Sequence, residues 1–321
     1  MGRPGLVAVA IVAALAAGGP VRTCAAKETF VSLGTGEMDG LYYPVGKAIC
    51  KVAGPDLRAM EIRCSPETTP GSVYNVDAVE SGELELGIAQ TDVELEAYRG
   101  IGPWQGRAVS DLRSVLSLHS ELVTIIARAN ANIHAISDLA GKRVNVGSRG
   151  TGTRATWDSM AMELGRDRMP ARLTQLRADE VKSALCDGDI DANLLIVGHP
   201  SPSVAQQLTA CPSNFVAIDG AFADKVLLTH PFFVRGSIPT QLYGISQDIP
   251  TVGSRAALVT SAAMDARIVA AIAKAILAHV SELRTLHPAL ARLTAERMVQ
   301  PLPAPLHPAA AQVYKDLGLL K

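Results

Sequence analysis

The chain has 321 residues, 48% of them apolar and 19% charged, with a formal net charge of −1. That length supports one large or two medium domains with real cores, and the composition excludes a disordered tract or a coiled coil. Aromatic residues make up only 4% and there is no basic excess, so neither a polyanion-binding surface nor a stacking platform is expected, and nucleic acid is not a partner.

Residues 1–26 read as a secretory signal peptide. Arg3 gives a positive start, Leu6–Ala17 is an unbroken apolar run, Gly18-Gly19-Pro20 ends it, and Ala25 and Ala26 offer a small-residue cleavage site. The run is too short to span a membrane, and Arg22 and Thr23 before Cys24 do not suit a lipoprotein anchor. Cleavage removes Arg3 and Arg22 from 30 basic residues, leaving 28 against 31 acidic ones. The later apolar region Ala256–Val280 is interrupted by Asp265, Arg267 and Lys274, so it is no span either. A released, periplasmic protein is expected.

Four cysteines remain: Cys50, Cys64, Cys186 and Cys211. In an exported chain, two sequence-local pairs read most simply as the disulfides Cys50–Cys64 and Cys186–Cys211. Free buried thiols are the alternative, and no close Cys or His pair has the spacing of a zinc site.

In chain order, apolar strands alternate with amphipathic helices. Phe30–Leu33 is strand-like, and Leu41, Val45, Ala48, Ile49 and Val52 then recur at helical spacing up to a stop at Gly54-Pro55. Leu84–Ala89 makes the next strand. Thr91 and Glu94 after it have capping-box spacing, and that helix stops at Gly100. Val144–Val146 leads into a helix with Trp157, Met160, Ala161 and Leu164 on one face and Gly165 at its end. Asn193–Val197 leads into another after His199-Pro200. Such repeats predict an α/β fold with mostly parallel sheets. Two strand-like segments, "LVTIIAR" (Leu122–Arg128) and "SRAALVTS" (Ser254–Ser261), break the alternation and read as crossovers between two domains. A closing helix follows, with apolar positions Met264, Ile268, Ala271, Ile272, Ala275 and Ile276. The proline-punctuated C-terminal stretch is expected to pack around the outside.

Four strand-to-helix turns resemble one another: "GTGEMDG" (Gly34–Gly40), "QTD" (Gln90–Asp92), "SRGTGT" (Ser148–Thr153) and "GHPS" (Gly198–Ser201). In α/β sheets, ligands bind outside the carboxyl ends of the strands, where free helix amides face outward. Glycine lets the backbone approach, and Ser or Thr adds a hydroxyl. If all four face one cleft, they make a cradle of neutral donors for a small carboxylate; each alone is equally an ordinary capped turn.

Competing chemistries lack parts. "VGKA" (Val45–Ala48) and "AGKR" (Ala140–Arg143) miss the metal-binding hydroxyl of a Walker loop, and Gly147, Gly150 and Gly152 are spaced in reverse of the dinucleotide fingerprint. No GxSxG or HExxH occurs and the histidines are scattered. No cofactor and no catalysis are expected. His119 and Glu121 read as a solvated charge pair, Asp92 as complementing a helix dipole, and His199 either as a cleft residue or a helix-start residue.

The stretches "LGTGEMDGLYYPVGKAIC" (Leu33–Cys50), "GSVYNVDAVESGELELGIAQTD" (Gly71–Asp92), "DLAGKRVNVGSRGTGTRAT" (Asp138–Thr156) and "LHPAAAQVYKDLGL" (Leu306–Leu319) resemble the TAXI family of extracytoplasmic solute receptors. These serve tripartite ATP-independent periplasmic (TRAP) transporters. The resemblance covers nearly the whole mature chain. It implies a type II periplasmic binding protein: two α/β lobes, a hinge, and between them a small organic acid or amino acid such as glutamate or 2-oxoglutarate. It also implies TRAP permease subunits as the membrane partner, and a monomer. On the crossover positions, lobe I comprises residues 27–119 and 256–321 and lobe II residues 120–255. Carried over by position, the binding residues are Thr35, Gly36 and Tyr43; Gln90 and Thr91; Ser148, Gly150, Thr151, Gly152 and Thr153; with Arg154 and His199 as further candidates. Glu37, Met38 and Asp39 stand where the family usually has small residues, and Pro70 where glycine is common. An acid at the mouth repels a dianion or accepts an amine. The same architecture serves ABC importers and sensor kinases, and an exported hydrolase is the remaining alternative.

Overall fold

The computed structural model describes residues 1–2, 29–165 and 168–320. Apart from Met1 and Gly2, the expected signal peptide lies outside the described residues. Among them, no helix is long and apolar enough to cross a membrane.

The fold is two-lobed and mixed α/β. One half opens with β1 (Thr29–Gly34), α1 (Tyr42–Ala59), β2 (Ile62–Glu67), α2 (Ser72–Ser81), β3 (Leu86–Gln90) and α3 (Thr91–Arg99). Then β4 (Leu112–Arg128) crosses to β5 (Arg143–Asn145), α4 (Gly152–Leu164), β6 (Arg172–Thr174), α5 (Ala178–Asp187), β7 (Ala192–Val197), α6 (Pro202–Ala210), β8 (Ser213–Val216), α7 (Gly220–Thr229) and β9 (Val234–Ile238). Next β10 (Ile249–Ser261) crosses back to α8 (Ala266–Ala278), α9 (Val280–Leu286), α10 (Ala295–Met298) and α11 (Pro308–Asp316).

The main strand order is β2-β1-β3-β10-β4-β7-β5-β6, with β8 on β4 and β9 on β10. Strands β1, β2 and β3 are parallel, as are β5, β6 and β7; β10 and β4 are antiparallel to their neighbours and to each other. The two long crossover strands therefore join two parallel units. Strand β3 is buried at every residue, as a central parallel strand covered on both faces must be. The apolar stripe of α8, including Ile268, Ile272 and Ile276, is buried in the same core cluster as Val45, Ile49 and Leu57 of α1. Both expected disulfides form, with Cα separations of 5.3 Å for Cys50–Cys64 and 5.5 Å for Cys186–Cys211.

Three local expectations are overturned. Helix α1 does not stop at Gly54-Pro55 but runs through Pro55 to Ala59: Val52, Ala53 and Leu57 are all buried, and their packing outweighs the one hydrogen bond that proline removes. The capping box of α3 is absent. Gln90 is the N-cap and Thr91 the first helical residue; Thr91 Oγ1 instead accepts from the Arg255 amide at 3.2 Å, and Glu94 accepts from Ser114 and the Ala304 amide. The C-terminal stretch is not peripheral either. Tyr314 is fully buried, its hydroxyl donating to the Val115 carbonyl, and the chain around Leu306 pairs with Ser114 of β4.

Candidate functional site

The turns after β1, β3, β5 and β7 lead to helix starts that meet where the lobes approach each other. The Tyr74 amide donates to the Gly150 carbonyl at 3.2 Å. At Gly152, a Cβ would lie 1.7 Å from Gln90 Oε1 and 2.8 Å from Ser72 Oγ. Glycine is required there by close approach: the start of α4 rests directly on the end of β3.

Behind this contact lies a buried polar network. Gln90 Nε2 donates to Asp92 Oδ1 at 3.1 Å and to Thr156 Oγ1 at 2.8 Å, and Thr156 donates to Asp92 Oδ2 at 2.5 Å. Ser254 of β10 donates to Asp92 Oδ1 at 3.3 Å, Ser159 of α4 donates to Glu96, and Tyr42 donates to Glu121 Oε2 at 2.6 Å. Burial raises the Asp92 carboxyl, opposed by its Thr156 and Gln90 bonds. Asp92, in the first turn of α3 where it complements the helix dipole, is also the centre of an interlobe network. His119 and Glu121, expected to be solvated, are each 2% exposed, with His119 Nε2 3.6 Å from Glu121 Oε1; β4 carries both through the middle of the sheet.

Beside the network is a cleft of about 110 Å³. Ser148, Thr151 and Thr153 line it, together with Glu37, Asn145, Asn193, Ser203, Gln207 and the apolar Leu176, Ala178 and Val181. Its floor is fixed by amides: Asn145 Nδ2 donates to Asn193 Oδ1, and Asn193 Nδ2 to Gln207 Oε1, both at 2.9 Å. The Leu176 amide donates to Asn145 Oδ1, also at 2.9 Å. Glu37 is the one charged residue in the wall. Its Oε2 accepts from the Ala178 amide, the first residue of α5, at 3.2 Å. That is a carboxylate on a helix N-terminus, where unpaired amides and the helix dipole favour negative charge.

The remaining residues singled out from sequence are placed as follows. Thr35 is fully buried and donates to the Glu67 carbonyl at 2.6 Å, while the Gly36 carbonyl accepts from the Thr69 amide at 3.4 Å; both stitch the first turn to the end of β2. Tyr43 is half-buried, with Lys47 Nζ 5.8 Å above its ring, and it is Tyr42 that enters the interlobe network. Gln90 spends its amide on Asp92 and Thr156, and Thr91 faces β10. Gly150 and Gly152 form the interlobe contact. Thr151 caps α4, accepting from the Arg154 amide at 3.2 Å, and Thr153 Oγ1 accepts from the Ile196 amide at 3.3 Å. The Arg154 guanidinium is paired with Asp158 at 2.9 Å.

His199 is engaged at both ring nitrogens, Nδ1 2.8 Å from Tyr243 Oη and Nε2 3.0 Å from Thr124 Oγ1. Tyr243 Oη already accepts from the Ser201 amide at 2.6 Å, and Thr124 donates to the Leu122 carbonyl at 3.1 Å. A neutral imidazole accepting at Nδ1 and donating at Nε2 satisfies every group. Burial agrees, holding His199 down to about 4. It lines a separate, larger cavity and not the cleft.

Sequence reading passed over the Asn145–Asn193–Gln207 ladder. The available signal was an amide inside each apolar run, "VNV" and "ANLLIV", since a buried amide requires partners. Among the described residues, no group of three or more His, Cys, Asp or Glu is arranged to hold a metal ion.

A model of the NMT1-like family matches residues 33–318. Among solved structures, MatC (Rpa3494) from Rhodopseudomonas palustris with bound malate is similar at 15% identity and a TM-score of 0.55, over 90% of this chain and 97% of that one. A putative L-cystine ABC transporter from Listeria monocytogenes is similar at 11% identity and a TM-score of 0.51, over 80% of this chain and 94% of that one. XAC2383 from Xanthomonas citri bound to ATP is similar at 13% and 0.50, over 90% and 95%. At these identities the likeness is one of fold.

Proposed function

The chain belongs to the NMT1-like family, and from that membership, the two-lobed fold and the cleft we propose that it is a non-catalytic solute receptor. In this reading it captures a small carboxylate between its lobes in the periplasm and delivers it to the membrane component of a TRAP transporter. The hinge is the β4–β10 pair, and the lobes are residues 27–119 with 256–321, and 120–255. The pairing of β10 with β4 shifts register between Arg255 and Ala257, and such an irregularity is a natural place for two strands to flex.

One observation carries the reading. The cleft holds a carboxylate, that of Glu37, on the start of α5, and no basic side chain lines it. A solute carboxylate is accommodated in the same way, by the amides at the start of α4 and the hydroxyls of Ser148 and Thr153. Glu37 then meets the other end of the solute, which favours an amino acid, with its ammonium group, over a dicarboxylate. Malate in MatC supports the carboxylate class, while the cystine neighbour keeps an ABC importer as the alternative membrane partner. Contact across both lobes stabilises the closed form, so the partner distinguishes loaded from empty receptor.

The test is a thermal-shift and calorimetric screen of amino acids and organic acids against the purified mature chain. A true solute raises the melting temperature with concentration as binding linkage requires, and Thr153→Val with Ser148→Ala reduces that shift while the protein stays folded. Absence of any shift across the panel, or a shift indifferent to both substitutions, removes the assignment.

A further inference from the structure

The chain has a second cavity, of about 700 Å³, that shares no lining residue with the cleft. It lies between the crossover strands β4 and β10, the turn after β9, and residues 288–300. Its size is that of a small-molecule site, roughly 300–1,000 Å³.

Its charge is one-sided. Arg235, Arg255, Arg292 and Arg297 line it, and no aspartate or glutamate does. Arg235 is paired with Asp224, both of them exposed. Arg255 donates to Gln300 Oε1 at 2.7 Å and the Pro301 carbonyl at 2.9 Å, and Arg297 to the Arg292 carbonyl at 3.3 Å. Amide and carbonyl acceptors orient a guanidinium without neutralising it. Ser117 and His119 of β4 complete the wall.

We propose that this cavity is a second ligand site, for a small multivalent anion such as an oxyanion or polycarboxylate. Arg255 anchors the ligand from β10, while Arg292 and Arg297 reach it from the C-terminal segment. The two cavities are electrostatically opposite: Glu37 in the cleft disfavours a dianion, and the arginines here attract one. The inference does not depend on which solute the cleft takes.

The test is isothermal titration of the mature chain with inorganic phosphate and, separately, with citrate, at ionic strength fixed by sodium chloride. At least one probe binds saturably. The double variant Arg292→Gln/Arg297→Gln, whose sites are exposed and leave the core intact, weakens it by about tenfold or more, as loss of charge-assisted hydrogen bonds predicts. Solute binding in the cleft is retained in that variant, which separates failure here from failure of the receptor reading. No saturable binding of either probe, equal affinity in the double variant, or an effect that chloride reproduces at the same ionic strength overturns the proposal.

Discussion

Glu37 and Ala178, 141 positions apart, meet across the cleft with the carboxylate 3.2 Å from the backbone nitrogen. One lobe thereby places its own acid on a helix start of the other. The contact sets the polarity of the cleft wall.

Glu37→Gln removes the only charge in the cleft wall. Affinity for amino acids is expected to fall about tenfold, the scale of one charge-assisted hydrogen bond, while dicarboxylates bind better. Calorimetry with paired ligands, glutamate against 2-oxoglutarate, reads the ratio. An unchanged ratio means that Glu37 does not face the solute.

Gly152→Ala introduces a Cβ 1.7 Å from Gln90 Oε1. Overpacking a contact of this kind costs about 1–3 kcal/mol, so the lobes separate: the radius of gyration by small-angle scattering rises and solute affinity falls. Adding Gln90→Ala makes room for the methyl and is expected to restore part of the closure. Normal closure in the single variant is the contrary result.

Burial raises the carboxyl of Glu94 to about 7 and that of Glu96 likewise to about 7. Each has one oxygen, Oε2, buried without a partner, consistent with a protonated acid. A carboxyl whose folded value lies above its unfolded one stabilises the fold below the unfolded value, and that contribution is lost as pH rises towards 7. His199, held at about 4 by burial, works in the opposite direction over part of the same window, so the wild-type profile mixes the two. Comparison with a variant isolates one group. The stability of Glu94→Gln relative to wild type is expected to improve steadily from pH 4.5 to pH 7.5, by up to about 3 kcal/mol, in urea melts at each pH. A flat difference places the Glu94 titration elsewhere.

Cys186–Cys211 closes a sequence separation of 25 residues and Cys50–Cys64 one of 14. Replacing either pair by serine is expected to cost about 3 kcal/mol through the unfolded chain, read as a drop in denaturation midpoint. Reductant should lower the wild-type midpoint and leave that of the quadruple variant unchanged.

Much of the framework was legible in the sequence because it is local. Strand-to-helix alternation, the stops at Gly100 and Gly165, the crossover runs Leu122–Arg128 and Ser254–Ser261, and the cysteine pairs follow from period, backbone freedom and proximity in the chain. Gly54-Pro55 misled because a helix-stopping signal is also local, and the buried Leu57 beyond it overrode it. Thr91 and Glu94 had the spacing of a cap, yet each found a stronger partner far along the chain, Arg255 and Ser114.

By itself, then, the sequence determined the α/β class, the strand-to-helix units around its four turns, the two crossover runs and the small, hydroxyl-rich character of the turns. Only the tertiary structure decided which turn residues face the cleft, that Tyr42 and not Tyr43 enters the interlobe network, that Asp92 and Glu121 are buried, and that the arginines collect around a separate cavity. The physical reason is that side-chain direction at a helix start depends on how two antiparallel strands, β4 and β10, set one lobe against the other. That geometry is a sum of contacts between residues more than a hundred positions apart, which no periodicity encodes.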